Sequence, residues 1–217
     1  ADCYVVTSQY KVAIDYYGNA IKLDTFDVDY ALFQKAYSFG LLKRYQQKSK
    51  TLTTLLSQSP NSVYAADALF ERGRSYVAID SMELAINDFN NLLTDYPNSS
   101  YISGALLQLG LLNYSLNNNE LALESFKKVV EEYSGSPEAN DALMAMKNIY
   151  VDLNKVDDYF AYVQNIKGDG SVNMSEKDSL TYLAAERIYM SMQWQQAEQM
   201  FSAYLNNIQS NKFTINA

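Results

Sequence analysis

An all-α fold built from stacked helical hairpins is what this sequence predicts, and three observations predict it. The stretch SPNSVYAADALF at 59–70 returns as YPNSSYISGALL at 96–107 and as YSGSPEANDALM at 133–144, each time 37 residues on and without a gap. Between these stretches apolar residues recur at three- and four-residue steps, the spacing of one helix face. Polar or proline-bearing breaks separate the stripes. A hairpin that exposes one apolar face must find another to cover it, so a short unit repeated in tandem stacks into an array.

Taken in order, residues 10–25 read as the second helix of a truncated repeat, with Ala13, Tyr17 and Ala20 at helical spacing and no first helix before them. Residues 30–61 form a repeat in which Leu32, Ala36, Phe39, Leu52, Leu55 and Pro60 keep the phase. Lys48 stands there where a small residue is expected, which predicts a looser hairpin. The repeat 62–98 carries Leu69, Gly73, Tyr76 and Val77 on its first helix, a polar break at Asp80-Ser81, then Ala85, Phe89, Leu92 and Tyr96 before Pro97 stops it. The repeat 99–135 follows with Leu106, Leu109 and Gly110, the turn Asn117-Asn118-Asn119, and Ala122, Phe126, Val129 and Tyr133.

Residues 136–167 are a degenerate repeat: Leu143, Tyr150, Val163 and Ile166 continue the pattern, but Lys147 and Tyr159 replace both small residues and predict a wider crossing. The polar, glycine-bearing stretch 168–178 is the best candidate for a hinge-like loop. Ser175 with Asp178 can cap the helix after it, where Leu183 and Ala185 lead to Ala197, Phe201 and Tyr204 of the repeat 179–210. Residues 211–217, with Phe213, look like the start of a further repeat. Both ends read as cut, which suggests one array, 1–217, taken from a longer one.

Two side-chain types carry the mechanics. Ser62, Ser99 and Ser136 precede the apolar runs and can cap free helical amides, and Pro137 followed by Glu138 suits a first helical turn. Gly73 with Ala85, and Gly110 with Ala122, suit a close crossing of the two helices of a hairpin. Phe89 and Phe126 are then expected between successive hairpins.

Composition excludes several functions. The chain of 217 residues has 17 basic and 25 acidic side chains, a formal charge of -8, and its lysines and arginines form no stripe. Nucleic acid repels such a surface. With no histidine and one cysteine, Cys3, neither Ser-His-Asp nor Cys-His catalysis can be assembled, and a transition-metal site lacks ligands. No cofactor, no metal and no catalytic residue are expected. Asp24, Asp27 and Asp29, like Asp157 and Asp158, lie close together but lack the glycine and closing glutamate of a calcium loop. Gly168-Asp169-Gly170 lacks the spacing and lysine of a phosphate loop. Trp194 is expected to plug the turn between two helices, or, if exposed, to stack on a sugar.

Leu69, Gly73, Tyr76, Ala85, Phe89 and Pro97, repeated for the most part by Leu106, Gly110, Ala122 and Phe126, fall at the spacings of the tetratricopeptide repeat. The chain resembles a tetratricopeptide-repeat protein over nearly its whole length. The resemblance implies a right-handed superhelical α-solenoid of about four full repeats, an interaction scaffold rather than an enzyme, and binding residues that project from first helices into a concave groove. Carried onto this sequence, those positions are Phe33, Tyr37, Phe70, Arg74, Val77, Leu107, Leu111, Tyr114, Met144, Asn148, Val151, Tyr182, Glu186 and Tyr189.

This set is aromatic, aliphatic and nearly uncharged, which suits a peptide or partner domain with apolar anchors. The same side chains can instead pack against neighbouring first helices. The family's clamp for a terminal carboxylate uses several lysines, arginines and asparagines, and Arg74 with Asn148 does not rebuild it. Two other readings stay open: a structural spacer or homo-oligomer joined through uncapped ends, and a carbohydrate-binding envelope protein, suggested by Trp194 and 19 tyrosines.

The YPNS-type junctions are similar to those of bacterial cell-envelope repeat proteins, including outer-membrane assembly lipoproteins and the partner of the Tol-Pal system. That resemblance implies a periplasmic or envelope location. Asparagine-rich turns and abundant tyrosine fit a Bacteroidetes-like source. No run of about 18 apolar residues exists to span a membrane.

Overall fold

The computed structural model describes residues 1–23, 27–167, 173–206 and 213. Among these the regular elements are twelve helices. In order they are α1 (Asp2–Val6), α2 (Tyr10–Leu23), α3 (Val28–Leu41), α4 (Tyr45–Gln58), α5 (Ala65–Ala78), α6 (Met82–Asp95), α7 (Ile102–Ser115), α8 (Asn119–Glu132), α9 (Pro137–Asp152), α10 (Val156–Lys167), α11 (Met174–Met190) and α12 (Trp194–Asn206). The all-α hairpin architecture predicted by the periodicity is the architecture observed. The chain divides into two compact units, Ala1–Leu112 and Asn113–Ala217, so that the boundary falls inside α7.

Each hairpin closes with the same turn. One residue enters the left-handed region: Lys43 at φ 55°, Asp80 at 59°, Asn117 at 60°, Asn154 at 53° and Met192 at 63°. The next amide then reaches back five residues, as from Ser81 to the Tyr76 carbonyl at 2.8 Å and from Lys155 to that of Tyr150 at 2.7 Å. Such a closure satisfies carbonyls that the helix end leaves open. Aspartate and asparagine tolerate that backbone; Met192 lacks their excuse.

In the first unit the apolar stripes meet as the spacing requires. Leu32, Ala36, Leu52, Leu55 and Ala68 form one buried cluster, and Ala13, Tyr17 and Ala31 another. Gly73 and Phe89 form the crossing of α5 and α6: a Cβ on Gly73 would stand 2.7 Å from Phe89 Cε1. Phe89, expected between hairpins, therefore fills a notch within its own hairpin, because only glycine leaves room for the ring there. Beside it Arg72 of α5 grips the buried Asp88 of α6 through two bonds of 2.8 and 2.6 Å. Burial pushes the Asp88 carboxyl above the usual carboxylate range, against the pull of the guanidinium.

Several expectations need correction. A short helix, α1, does precede α2, and Tyr4 stacks on Tyr16 across them at 5.1 Å. Ser136 caps α9 by accepting from the Ala139 amide at 3.1 Å, with Pro137 in the first turn. Ser62 and Ser99 instead accept the amides two residues on, Tyr64 at 3.1 Å and Tyr101 at 3.2 Å, so they build turns before α5 and α7 rather than caps. Asn173, not Ser175 with Asp178, caps α11, accepting from the Glu176 amide at 3.2 Å. The rest of the hinge stretch, 168–172, and the segment 211–217 apart from Phe213 lie outside the described residues.

Lys48 does not simply loosen its hairpin. Its stem lies where a Cβ on Gly40 would be, 3.2 Å from Lys48 Cδ, so the glycine of α3 makes the space that a small residue on α4 would otherwise provide. The lysine is buried, and its ammonium pairs with Glu71 of α5.

Candidate functional site

The first helices carry the candidate residues, and their contacts sort them into two groups. Some of the aromatic ones hold the array together. Phe33 stacks on Tyr64 with ring centroids 5.2 Å apart and planes at 16°, and Phe70 stacks on Tyr101 at 4.8 Å and 26°. Tyr182 stacks on Phe213 at 4.6 Å and 23°. The partners are 31 residues apart in all three pairs, and in the first two the clasping ring stands just before the first helix of the following hairpin. Such pairs contribute about 0.5 to 1.5 kcal/mol beyond the area they bury.

The clasps are reinforced by hydrogen bonds. Tyr101 donates to Asp67 at 2.8 Å, and burial together with that carboxylate pushes its phenol up to about 12. Asp29, one of the acids grouped by sequence, accepts from the Ser62 hydroxyl at 2.6 Å and so joins two hairpins. Asp157 pairs with Lys177 at 2.5 Å. Asp27 is the left-handed residue that opens α3, and Asp24 lies outside the described residues, as does Gly168-Asp169-Gly170.

In the second unit Asp152, at the end of α9, makes a polar tie between first helices. It accepts from the Tyr114 hydroxyl of α7 and from Arg187 of α11, tying three first helices together. Burial, then the bond to Asp152, raises the Tyr114 phenol above its ordinary value, with Arg187 opposing. The Tyr114 hydroxyl is therefore engaged inside the fold. Leu107 is 7% exposed and Val151 is buried, so neither presents a surface.

The second group faces solvent. Tyr37 is 47% exposed, Leu111 40% and Met144 62%, and Arg74, Val77, Asn148 and Tyr189 are exposed as well. Glu186 is half-buried. Tyr37, Arg74, Leu111 and Asn148 recur every 37 residues, the first three just after the small residues Ala36, Gly73 and Gly110 and the last just after Lys147. Every one of them is exposed, and no two share a chemistry. Arg74 bonds Glu71 at 3.0 Å while its guanidinium lies over the Phe70 ring at 5.9 Å.

Trp194 does not plug a turn. It is 55% exposed at the start of α12 and packs edge-on with Tyr189 at 5.0 Å, while the turn before it closes through backbone bonds. Sequence reasoning missed Tyr64, Tyr101, Asp152 and the Lys48–Glu71 pair. The interval of 31 residues was the available signal for the stacks; the ion pairs left none, since their partners sit at unrelated spacings.

Residues 30–62, 67–99 and 104–136 match the family profile of the tetratricopeptide repeat. Among solved structures the chain is similar to MamA, with a TM-score of 0.64 and 18% identity over 77% of this chain and 92% of that one. It is similar to a tetratricopeptide repeat protein from Parabacteroides merdae ATCC 43184, with a TM-score of 0.55 and 17% identity over 98% and 77%. It is also similar to YrrB, described as a TPR protein with an unusual peptide-binding site, with a TM-score of 0.56 and 14% identity over 92% and 96%. At such identities the likeness shows the fold alone. No curated protein matches the chain in sequence.

Proposed function

Because residues 30–136 carry three tandem tetratricopeptide repeats, we propose that this protein is a non-enzymatic scaffold that holds a peptide or partner domain on the exposed face of its first helices. The observation that carries the proposal is the row Tyr37, Arg74 and Leu111 of the first unit. A position kept at the surface in successive repeats, yet filled by three different chemistries, is not serving a shared packing need. It suits readout of a ligand that varies along its length. The fold likeness to YrrB supports a peptide as the ligand class.

Recovery of partners from an extract of the source cells tests this, with the native chain and with Tyr37→Ala combined with Leu111→Ala. We expect the double variant to lose a partner that the native chain retains. Identical recovery by both removes this face from the proposal.

The same proposal places the chain in the periplasm or cell envelope of a Bacteroidetes-like bacterium. What supports it is the resemblance of the YPNS junctions to envelope repeat proteins. Cell fractionation with an antibody to this chain checks the location. A second reading has its own observation: the exposed indole of Trp194 favours a glycan ligand, and a glycan array without signal closes it.

A further inference from the structure

The buried Lys48 is the feature of the first unit that its fold does not demand. At the equivalent position the next two hairpins have Ala85 and Ala122, both fully buried, so the charge of Lys48 has no counterpart at that position there. A buried ion pair adds little stability over an apolar filling of the same space. Yet Lys48 is accommodated by Gly40 and aimed at Glu71, the carboxylate that also bonds Arg74.

Three side chains then share one site, two cations with one carboxylate between them, so Glu71 alone does not neutralise both; the next carboxylate along α5, Asp67, is taken by the Tyr101 hydroxyl. The positive surplus sits outward. The Lys48 side chain is 9% exposed and that of Arg74 57%, so the guanidinium is the member that meets solvent. On either side of Arg74, at the same register of α3 and α7, stand Tyr37 and Leu111.

Resting on the scaffold reading above, we propose that this face of residues 1–112 takes a peptide in which an acidic side chain stands between apolar ones. Arg74 receives the carboxylate, and Tyr37 and Leu111 receive the apolar flanks. Lys48 is a positioning residue: by balancing Glu71 it keeps that carboxylate from neutralising Arg74. A guanidinium suits this task because it offers paired donors to a carboxylate while its plane rests on the Phe70 ring.

The test uses the full chain and three labelled, end-blocked peptides of serine and leucine that carry one central glutamate, glutamine or lysine, with affinity read by fluorescence anisotropy. We expect the glutamate peptide to bind about tenfold more tightly than the glutamine peptide, the lysine peptide to bind most weakly, and added salt to narrow the gap. Arg74→Gln, at an exposed position, should abolish the preference for glutamate. Glu71→Gln should increase that preference, and Lys48→Met, which keeps a stem over Gly40, should reduce it. A purely structural lysine would change thermal stability in Lys48→Met and leave charge selectivity untouched, which overturns the proposal. Equal binding of the glutamate and glutamine peptides overturns it too, while the scaffold reading stands. Binding of none of the three also overturns it, and the partner-recovery experiment then decides the scaffold reading separately.

Discussion

The α5–α6 and α9–α10 hairpins occupy the same place in the repeat and solve the same problem with opposite materials. In α5–α6, Gly73 leaves a notch, Phe89 fills it, and Ala85 is fully buried nearby. In α9–α10 the equivalent positions hold Lys147 and Tyr159. The Tyr159 ring is buried against Tyr150 at 6.0 Å and edge-on to Phe160 at 5.4 Å, and Lys147 turns away to pair with Glu176 of α11 at 3.4 Å. The backbones of these two helices approach each other closely at fewer positions than those of α5 and α6 do, in keeping with the wider crossing expected from Lys147 and Tyr159. The α3–α4 hairpin shows a third solution, Lys48 laid over Gly40. What the repeat requires is a filled crossing: volume added to one helix must be matched by space in the other.

The sharpest break in that comparison is Phe89→Ala. It empties the notch and should destabilise the first unit by about 3 to 5 kcal/mol, measured by urea unfolding. Gly73→Ala attacks the same contact from the other side. Its Cβ would press on a buried ring that has no room to retreat, and overpacking of this kind costs about 1 to 3 kcal/mol. Cutting the tie between the other hairpin and α11 is milder: Glu176→Ala removes the partly exposed ion pair with Lys147 and should cost less than about 1 kcal/mol, shrinking further in high salt.

Alkaline pH sharpens the contrast without a mutation. Burial, with Glu176 adding to it, raises the Tyr159 phenol, while burial and Asp67 raise that of Tyr101 from 10 to about 12. A phenol held above its unfolded value favours the folded state fully below pH 10 and loses that contribution as pH climbs through its folded value. Tyrosinate absorbance and circular dichroism recorded together should therefore show loss of helix setting in between about pH 10 and 12. Tyr101→Phe should remove the part that belongs to the first unit.

Local order was readable before any coordinates. Periodicity placed the hairpins, because burying one face of a helix imposes the three- and four-residue spacing on whatever sequence forms it. Repetition gave the tandem arrangement, and the small residues at 73 and 85 announced a close crossing. The turns were located by their polar residues, Asp80-Ser81 and Asn117-Asn118-Asn119, although the left-handed conformation of Lys43 and Met192 was not, since neither is a residue that seeks it.

Which exposed-looking aromatic belongs to the fold, and which to a partner, emerged only when the hairpins were stacked. Phe33 and Tyr37 lie one helical turn apart and look alike as residues, yet one is clasped by Tyr64 and the other faces solvent. The side chain of a residue reports its own chemistry; its neighbour is chosen by chain that lies a full repeat away. For the same reason the pairing of Lys48 with Glu71, and of Asp152 with Tyr114 and Arg187, needed the three-dimensional arrangement, because charge attracts through space and leaves no period along the chain.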